Sequence, residues 1–537
     1  MFYRGYPILT SLGRPESVPS PRALCGQRPL QEADFQRAMN RELPEMPLSE
    51  RLKDPGRYLT LQRARRQSLE VLLTAEPDDD LLRRAVDLIC MICEESCWSE
   101  NPGTAPFDDD AHPEIDYQCA ETAVLLGWTA RAFGDRLTSR VSGTLLYEVR
   151  RRVFSPLLAH EDYPFMRARG RRPLAILSDL LMAAMLLETV EQRRASLLKL
   201  LLRLIDQAID VRSQRVEALE DAAADTAAIT DLSVLLRRIT RDSLDLTPTY
   251  PTPDWLDQLL YPWLEGECFV DPAGGSMLPR LSGEDLFRIG LCANDDALTA
   301  LGASLERSKP VPSCSVTGRL LAQSCRQMLD AAEGKPPRIK RAATPRNRVM
   351  VSRFSGMTFA MHTGGDCANA GGIALFSGRK PVLVEAGDAC SLPSIGGRRQ
   401  QDRPDLACEA DFDLRQDRDT MSVELTQAWP AGVAHSCQRT AIIQRPDVTL
   451  RLVDAFDLAE PSTVAFRFIS AQQPQYMPGG LRLGDVDFTW EGGLEAEVLE
   501  LGRRFPDPVS GEPLYEIRLT APSPVSRAFF SFNFAKS

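Results

Sequence analysis

The chain has 537 residues, with 63 basic and 74 acidic side chains, a formal net charge of −11 and only four histidines. At roughly 100–200 residues per domain this is material for roughly two to four domains. Its 43% hydrophobic and 26% charged content excludes long disordered or fibrous stretches, and its acidity excludes a nucleic-acid backbone or an anionic membrane as the main partner unless a local basic patch intervenes.

Residues 1–44 are rich in Pro and Arg without a clear period and are expected to wrap over the adjoining region as an N-terminal extension. The opening apolar step, Tyr6 to Leu9, is broken by proline. A secretory signal needs an apolar run of about 7–15 residues, so none is expected, and no run approaches the ~18 apolar residues of a membrane span. Thirteen cysteines, an odd number, exclude a fully paired disulfide framework and suit a reducing compartment. A cytoplasmic location is the expectation.

From 45 to 335 the apolar residues recur at helical spacing, as in Leu81, Leu82, Ala85, Val86, Leu88, Ile89 and Ile92. Further helices are expected at Cys119–Phe133, Val141–Leu158, Leu174–Val190, Ala195–Val211, Thr230–Thr240, Asp254–Leu264, Ser282–Leu291, Asp295–Ser308 and Thr317–Ala332. Asp78-Asp79-Asp80, Ser282 with Asp285, and Asp295-Asp296 mark starts, since carboxylates and hydroxyls suit the positive end of a helix. Leu174–Leu187 is apolar nearly all round, which points to a helix buried within a layered all-α body. A basic, proline-bearing connector, 336–348, comes next. From 349 to 537 the period becomes two, with strands expected at Val349–Met361, Gly372–Phe376, Pro381–Glu385, Met421–Ala428, Thr440–Gln444, Val448–Val453, Thr463–Ile469, Leu494–Leu501, Tyr515–Leu519 and Ala528–Phe534. The fold class is therefore multi-domain α + β, helical first and antiparallel sheets second.

Three clusters could carry chemistry. Cys90, Cys93 and Cys97 share one helix face and could join Cys119 at a metal, or simply pack in the core, where cysteine is common. Glu94, Glu95, Trp98, Asp116 and Glu121 combine carboxylates with an aromatic ring around a Pro/Asp-rich loop. Sugar sites use that mixture, and so do helix-capping loops. Cys367, Glu385 and Cys390 flank a hairpin and could bind zinc with a fourth position left to water, or be buried thiols beside a strand-end carboxylate.

Several stretches together resemble the heparinase II/III-like family of polysaccharide lyases: Ile92–Trp98, Ile115-Asp116 with Ala120–Ala123, Phe269–Ala273, Gly371–Phe376, Lys380–Gly387 and Leu392–Ile395. Their shared order spans nearly the whole chain after about residue 40. The resemblance implies an incomplete (α/α) toroid followed by an antiparallel β-sandwich. It implies β-elimination on uronic-acid-containing polysaccharides, in which a base takes the proton α to the carboxylate, an Asn steadies the developing charge and a Tyr or His protonates the leaving oxygen.

The stretch matching the family's Asn segment reads Arg169–Ile176, and the one matching its Tyr segment reads Glu217–Asp225. Between Pro164 and Thr249 there is no Tyr, His, Asn or Trp. The family's catalytic His falls at Gly365, and its metal positions fall at Cys367, Glu385 and Cys390, each a competent ligand for one structural zinc. Of the four histidines, His112, His160, His362 and His435, His362 lies nearest the lost position but three residues away. The usual catalytic set is missing.

The resemblance thus implies a lyase homologue of weak or no activity, with Glu95, Trp98, Asp116, Arg171 and Arg172 as candidates for a glycan cleft. The alternative is a non-catalytic protein that binds an acidic polysaccharide or oligosaccharide, or a scaffold of a surface-polysaccharide pathway. The family also makes the cell envelope or periplasm an alternative location.

Overall fold

The computed structural model describes the chain apart from residues 27–31, 101–106, 108–110, 214–216, 274–276, 338, 340, 345–348, 365–368, 386–389, 402–407 and 503–510. The chain is mainly helical as far as Ala331. Among the described residues ten helices have eleven residues or more: α1 (Pro55–Leu72), α2 (Asp79–Cys93), α3 (Tyr117–Phe133), α4 (Ser139–Val149), α5 (Pro173–Leu187), α6 (Glu191–Arg212), α7 (Leu219–Ile239), α8 (Gly283–Ala293), α9 (Asp296–Ser308) and α10 (Val316–Ala331). Three starts follow the expected capping, with Asp78, Ser282 and Asp295 each accepting a first-turn backbone N–H, and Asp116 does the same for α3. α5 is buried along its whole length against α3, α6 and α7, as its all-round apolar surface requires. The first residues belong to the same core: Phe2, Leu9, Val18 and Leu24 are buried in it, and Phe2 N–H donates to Asp206 at 2.7 Å.

Two expectations need correction here. The helix begun at Pro253 stops at Leu260, and Trp263–Glu265 instead pairs with Cys268–Phe269 as a hairpin. Pro262 cannot extend the helix ladder and Gly266, at φ +56°, makes the turn. Within the expected connector, Arg341–Thr344 is a strand paired with Val349–Ser352.

The second region holds two antiparallel sheets. One runs, by residue range, 474–477, 480–483, 486–490, 525–536, 449–462, 434–444, 418–424 and 410–414, and its longer strands alternate buried and open residues. The other runs 495–500, 515–520, 464–470, 380–383, 373–377, 357–362, 349–354 and 341–344, with 393–395 paired beside 464–470. Here β1 (Val349–Phe354), β2 (Met357–His362) and β3 (Ile373–Ser377) are buried at nearly every position, on both faces. The expected single strand over 349–361 is two, because Ser355-Gly356 turns the chain with φ of 43° and 81°.

The double burial has a direct cause. One face of this sheet shares a core with the other sheet, through Phe359, Leu375, Phe466 and Phe468 against Leu452, Phe488 and Phe532. The opposite face carries Val351, Ala360, Ala374 and Phe376 and packs on Leu264, Cys268, Val270 and Met277 of the helical region. Arg353 fastens the junction by donating to the carbonyls of Trp263 and Leu264 at 2.6 and 3.1 Å.

Candidate functional site

Glu95 and Trp98 do not line a cleft, and this corrects the sequence expectation. They are 1% and 0% exposed. Glu95 takes up Arg65 and Arg66 at 3.2 and 2.8 Å, while Trp98 donates its indole N–H to the Ile92 carbonyl and lies under the Arg152 guanidinium. The reason is local: α2 ends at Cys93, and the turn after it folds both side chains back under the helices. Cys93, Cys97 and Cys119 are buried in apolar clusters, and burial pushes the Cys93 thiol up to about 12, which suits packing and opposes metal binding. Asp116 caps α3, accepting from Cys119 N at 2.9 Å and Ser99 Oγ at 3.0 Å. Glu121 accepts from Arg319, which also holds Glu70.

Arg171 and Arg172 occupy the entry to α5 and meet the start of α7. Arg171 makes two contacts to the Asp221 carboxylate at 3.1 and 3.2 Å, and Arg172 reaches Asp221 Oδ1 at 2.8 Å and Glu220 at 3.8 Å. Arg172 also lies over the Tyr117 ring at 5.5 Å. One turn further along α7, Asp225 Oδ1 accepts the Ala175 N–H at 2.8 Å and so caps α5 from outside. Burial, and then the charge of Glu217, raises the Asp225 carboxyl to about 8. The stretches 169–176 and 217–225 therefore face each other, and two arginines and two carboxylates tie them together.

At the junction of the two regions His362, at the end of β2, places Nε2 3.1 Å from both Glu385 oxygens, while its Nδ1 accepts the Gly364 N–H. The proton is therefore on Nε2. Burial alone would lower the His362 pKa, but the charge and hydrogen bond of Glu385, with the charge of Asp271, leave it raised. Asp271, from the helical side, accepts from Ala273 N at 3.0 Å and Leu219 N at 3.3 Å, and burial raises it to about 6. Gly372 makes this contact possible, because a Cβ there would overlap Glu385 Oε1 and stand 2.8 Å from His362 Nε2. Of the expected zinc ligands, Cys367 lies outside the described residues and Cys390 is buried. Glu385 is already engaged by His362, so the described part of that set does not present an open ligand.

Sequence reasoning missed an arginine pocket in the sheet region. A cavity of about 280 Å³ is lined by Arg399, Arg467, Arg518, Gln400, Ser394 and Glu516, among others. Arg467 and Arg518 are direct cross-strand partners in the register of 464–470 with 515–520. Like charges directly opposite destabilise a sheet. Burial, and then Arg399, lower the Arg467 pKa, with Arg518 adding to the effect. Among the described lining residues Glu516 is the one carboxylate, and it accepts from Arg518 at 2.6 Å. Gln400 donates its amide to the Ala370 carbonyl at 3.0 Å, leaving a buried Oε1 without a partner among the described residues. Such a pocket can take an anion on its guanidinium face and a hydroxyl on the amide oxygen. Arg467 and Arg518 lie 51 positions apart, and only the strand register brings them together.

No protein-family profile and no curated protein sequence matches this chain. Solved structures do. The heparan sulfate lyase HepC of Pedobacter heparinus superposes with a TM-score of 0.55 at 11% identity, covering 98% of this chain and 87% of that one. A chondroitin AC lyase of Streptomyces coelicolor, in complex with chondroitin sulphate, gives 0.55 at 11% identity over 99% and 83%. A Paenibacillus xanthan lyase gives 0.52 at 8% identity over 98% and 59%. The chain thus shares the fold of these polysaccharide lyases across both of its regions.

Proposed function

We propose that the chain is a heparinase II/III-like polysaccharide-lyase homologue, an incomplete (α/α) toroid followed by a β-sandwich, that binds an acidic, uronic-acid-containing polysaccharide and performs β-elimination weakly or not at all. The observation that carries the binding is the convergence of Arg399, Arg467 and Arg518 on one pocket with a single lining carboxylate among the described residues. A sugar carboxylate or sulfate would relieve their mutual repulsion, and a neighbouring hydroxyl would satisfy Gln400 Oε1. The low turnover is supported by the chemistry at the starts of α5 and α7. Arginine stays protonated and cannot act as a base, and Asp221 is already committed to two guanidinium groups.

Retention on immobilised acidic glycans, together with the ultraviolet absorbance of unsaturated uronates during incubation with heparan, chondroitin, alginate and xanthan polymers, tests this reading. Salt-sensitive retention with little or no rise in absorbance is expected. A protein that no acidic polymer retains lacks the binding, and turnover of about 1 s⁻¹ or faster on any of them contradicts weak activity. A structural zinc held by Cys367, Glu385 and Cys390 is a separate proposal and requires Glu385 to release His362. Elemental analysis without stoichiometric zinc, or with zinc unchanged by Cys367→Ala plus Cys390→Ala, removes it.

A further inference from the structure

Two of the chain's four histidines meet on the surface of the helical region. His112 precedes α3, His160 follows the short helical turn Ser155–Ala159, and their ring centroids are 4.4 Å apart. Asp162 Oδ1 stands 2.9 Å from His112 Nε2. One ligand atom from each of the three side chains lies within 4.8 Å of the other two. The segments are held in place independently of these side chains, because the buried Tyr163 donates its hydroxyl to the Pro113 carbonyl at 2.9 Å. His160 Nε2 lies 3.0 Å from the Ala111 carbonyl, which can only accept. The His160 proton therefore sits on Nε2, and Nδ1 keeps its lone pair. An imidazole fixed by a carbonyl through one nitrogen, with the other left to bind, is the usual setting of a metal-ligating histidine.

We propose that His112, His160 and Asp162 form a binding site for one divalent transition-metal ion of the zinc class. Two imidazoles and a carboxylate are the donors zinc takes at about 2.0–2.2 Å. Two such ligands on one ion stand roughly 3 Å apart, and the gap between His112 and Asp162 already has that size. Among the described residues the set reaches solvent, the His112 and Asp162 side chains being 39% and 63% exposed. Beside it runs a groove lined by His160, Arg193 and the exposed Tyr147, with Arg150 and Arg151 at its wall paired to Glu188 and Glu148. The site shares no residue with the arginine pocket or with the zinc proposal at the hairpin, so it does not depend on the glycan reading.

The experiment titrates Co²⁺ into the chelator-treated full chain carrying Cys367→Ala and Cys390→Ala, reading visible absorption and bound metal. One Co²⁺ per chain is expected, with an absorption spectrum of nitrogen and oxygen ligation and no thiolate band. His112→Ala and His160→Ala should each weaken uptake at least about tenfold. Asp162→Asn, which keeps the size and hydrogen-bonding capacity of the side chain while removing the anionic ligand, should also weaken it with the circular dichroism spectrum unchanged. Failure to bind Co²⁺, or binding that is equally tight in all three variants, overturns the proposal and leaves His112 and Asp162 as a hydrogen-bonded pair only.

Discussion

In the helical region Arg288 faces Asp231 and Asp285 at 2.7 and 2.8 Å, Arg319 faces Glu70 and Glu121 at 2.7 Å each, and Arg172 faces Asp221. The sheet region treats its deepest arginine the same way, pairing Arg439 with Asp454 at 2.7 Å. At its pocket, however, Arg467 faces Arg518, with Arg399 nearby. Charges that serve the fold are matched inside the protein. Among the described residues this pocket sets three guanidinium groups against one lining carboxylate, and the glycan binding proposed above draws on that contrast between the sheets and the helix starts.

The sharpest way to break the contrast is at Arg288. Arg288→Ala leaves Asp231 and Asp285 buried without their cation, and should cost about 3–5 kcal/mol of stability, read as a large fall in the denaturation midpoint. A midpoint within experimental error of the parent would show that these pairs do not hold the helical core together. Arg399→Ala with Arg467→Ala should do the reverse. Stability should stay within about 1 kcal/mol or improve, because like-charge repulsion is relieved, while retention on an acidic glycan falls at least about tenfold. Arg171→Ala with Arg172→Ala should change retention less than about twofold, since both guanidinium groups are already engaged by Asp221. Equal losses in the two double variants would erase the distinction between the regions.

The smallest expected effect is a pH slope. Asp231 and Asp271 are raised to about 6 and Asp225 to about 8, in each case chiefly by burial. A carboxyl whose folded pKa lies above its unfolded value contributes stability that is complete below about pH 4 and is lost as pH rises through the folded pKa. Stability should therefore decline from about pH 4 upward, the Asp231 and Asp271 contributions being spent near pH 6 and the Asp225 contribution near pH 8. Asp225→Asn should flatten the part of the slope between about pH 6 and pH 8. A slope unchanged by that substitution would mean that Asp225 titrates normally.

Much of the fold was legible because it rests on short-range pattern. The all-round apolar run 174–187 implied a buried helix, Asp78, Ser282 and Asp295 marked helix starts, and the change of period near 349 marked the sheets. The turn at Ser355-Gly356 and the strands between 474 and 490 were not legible, because they are short and divided by glycine turns. The site was harder still. The acidic and aromatic cluster around Glu95 and Trp98 had the composition of a sugar site, but charge pairing with Arg65 and Arg66 from α1 buries it. Neither the pairing of Arg172 with Asp221 nor the approach of Arg467 to Arg518 leaves a local signature, since each joins residues about fifty positions apart.

The knot between the starts of α5 and α7 also bears on how readily these two segments accept change. Replacing Arg172 alone strips the less exposed Asp221 of one partner, and replacing Asp221 alone strands two guanidinium groups, one of them over the Tyr117 ring. Each single step passes through a less stable protein, so a directed-evolution route that changes one position at a time meets a barrier in both directions. Libraries that exchange both partners together avoid it, so the positions on the two sides of this latch are expected to change as a unit.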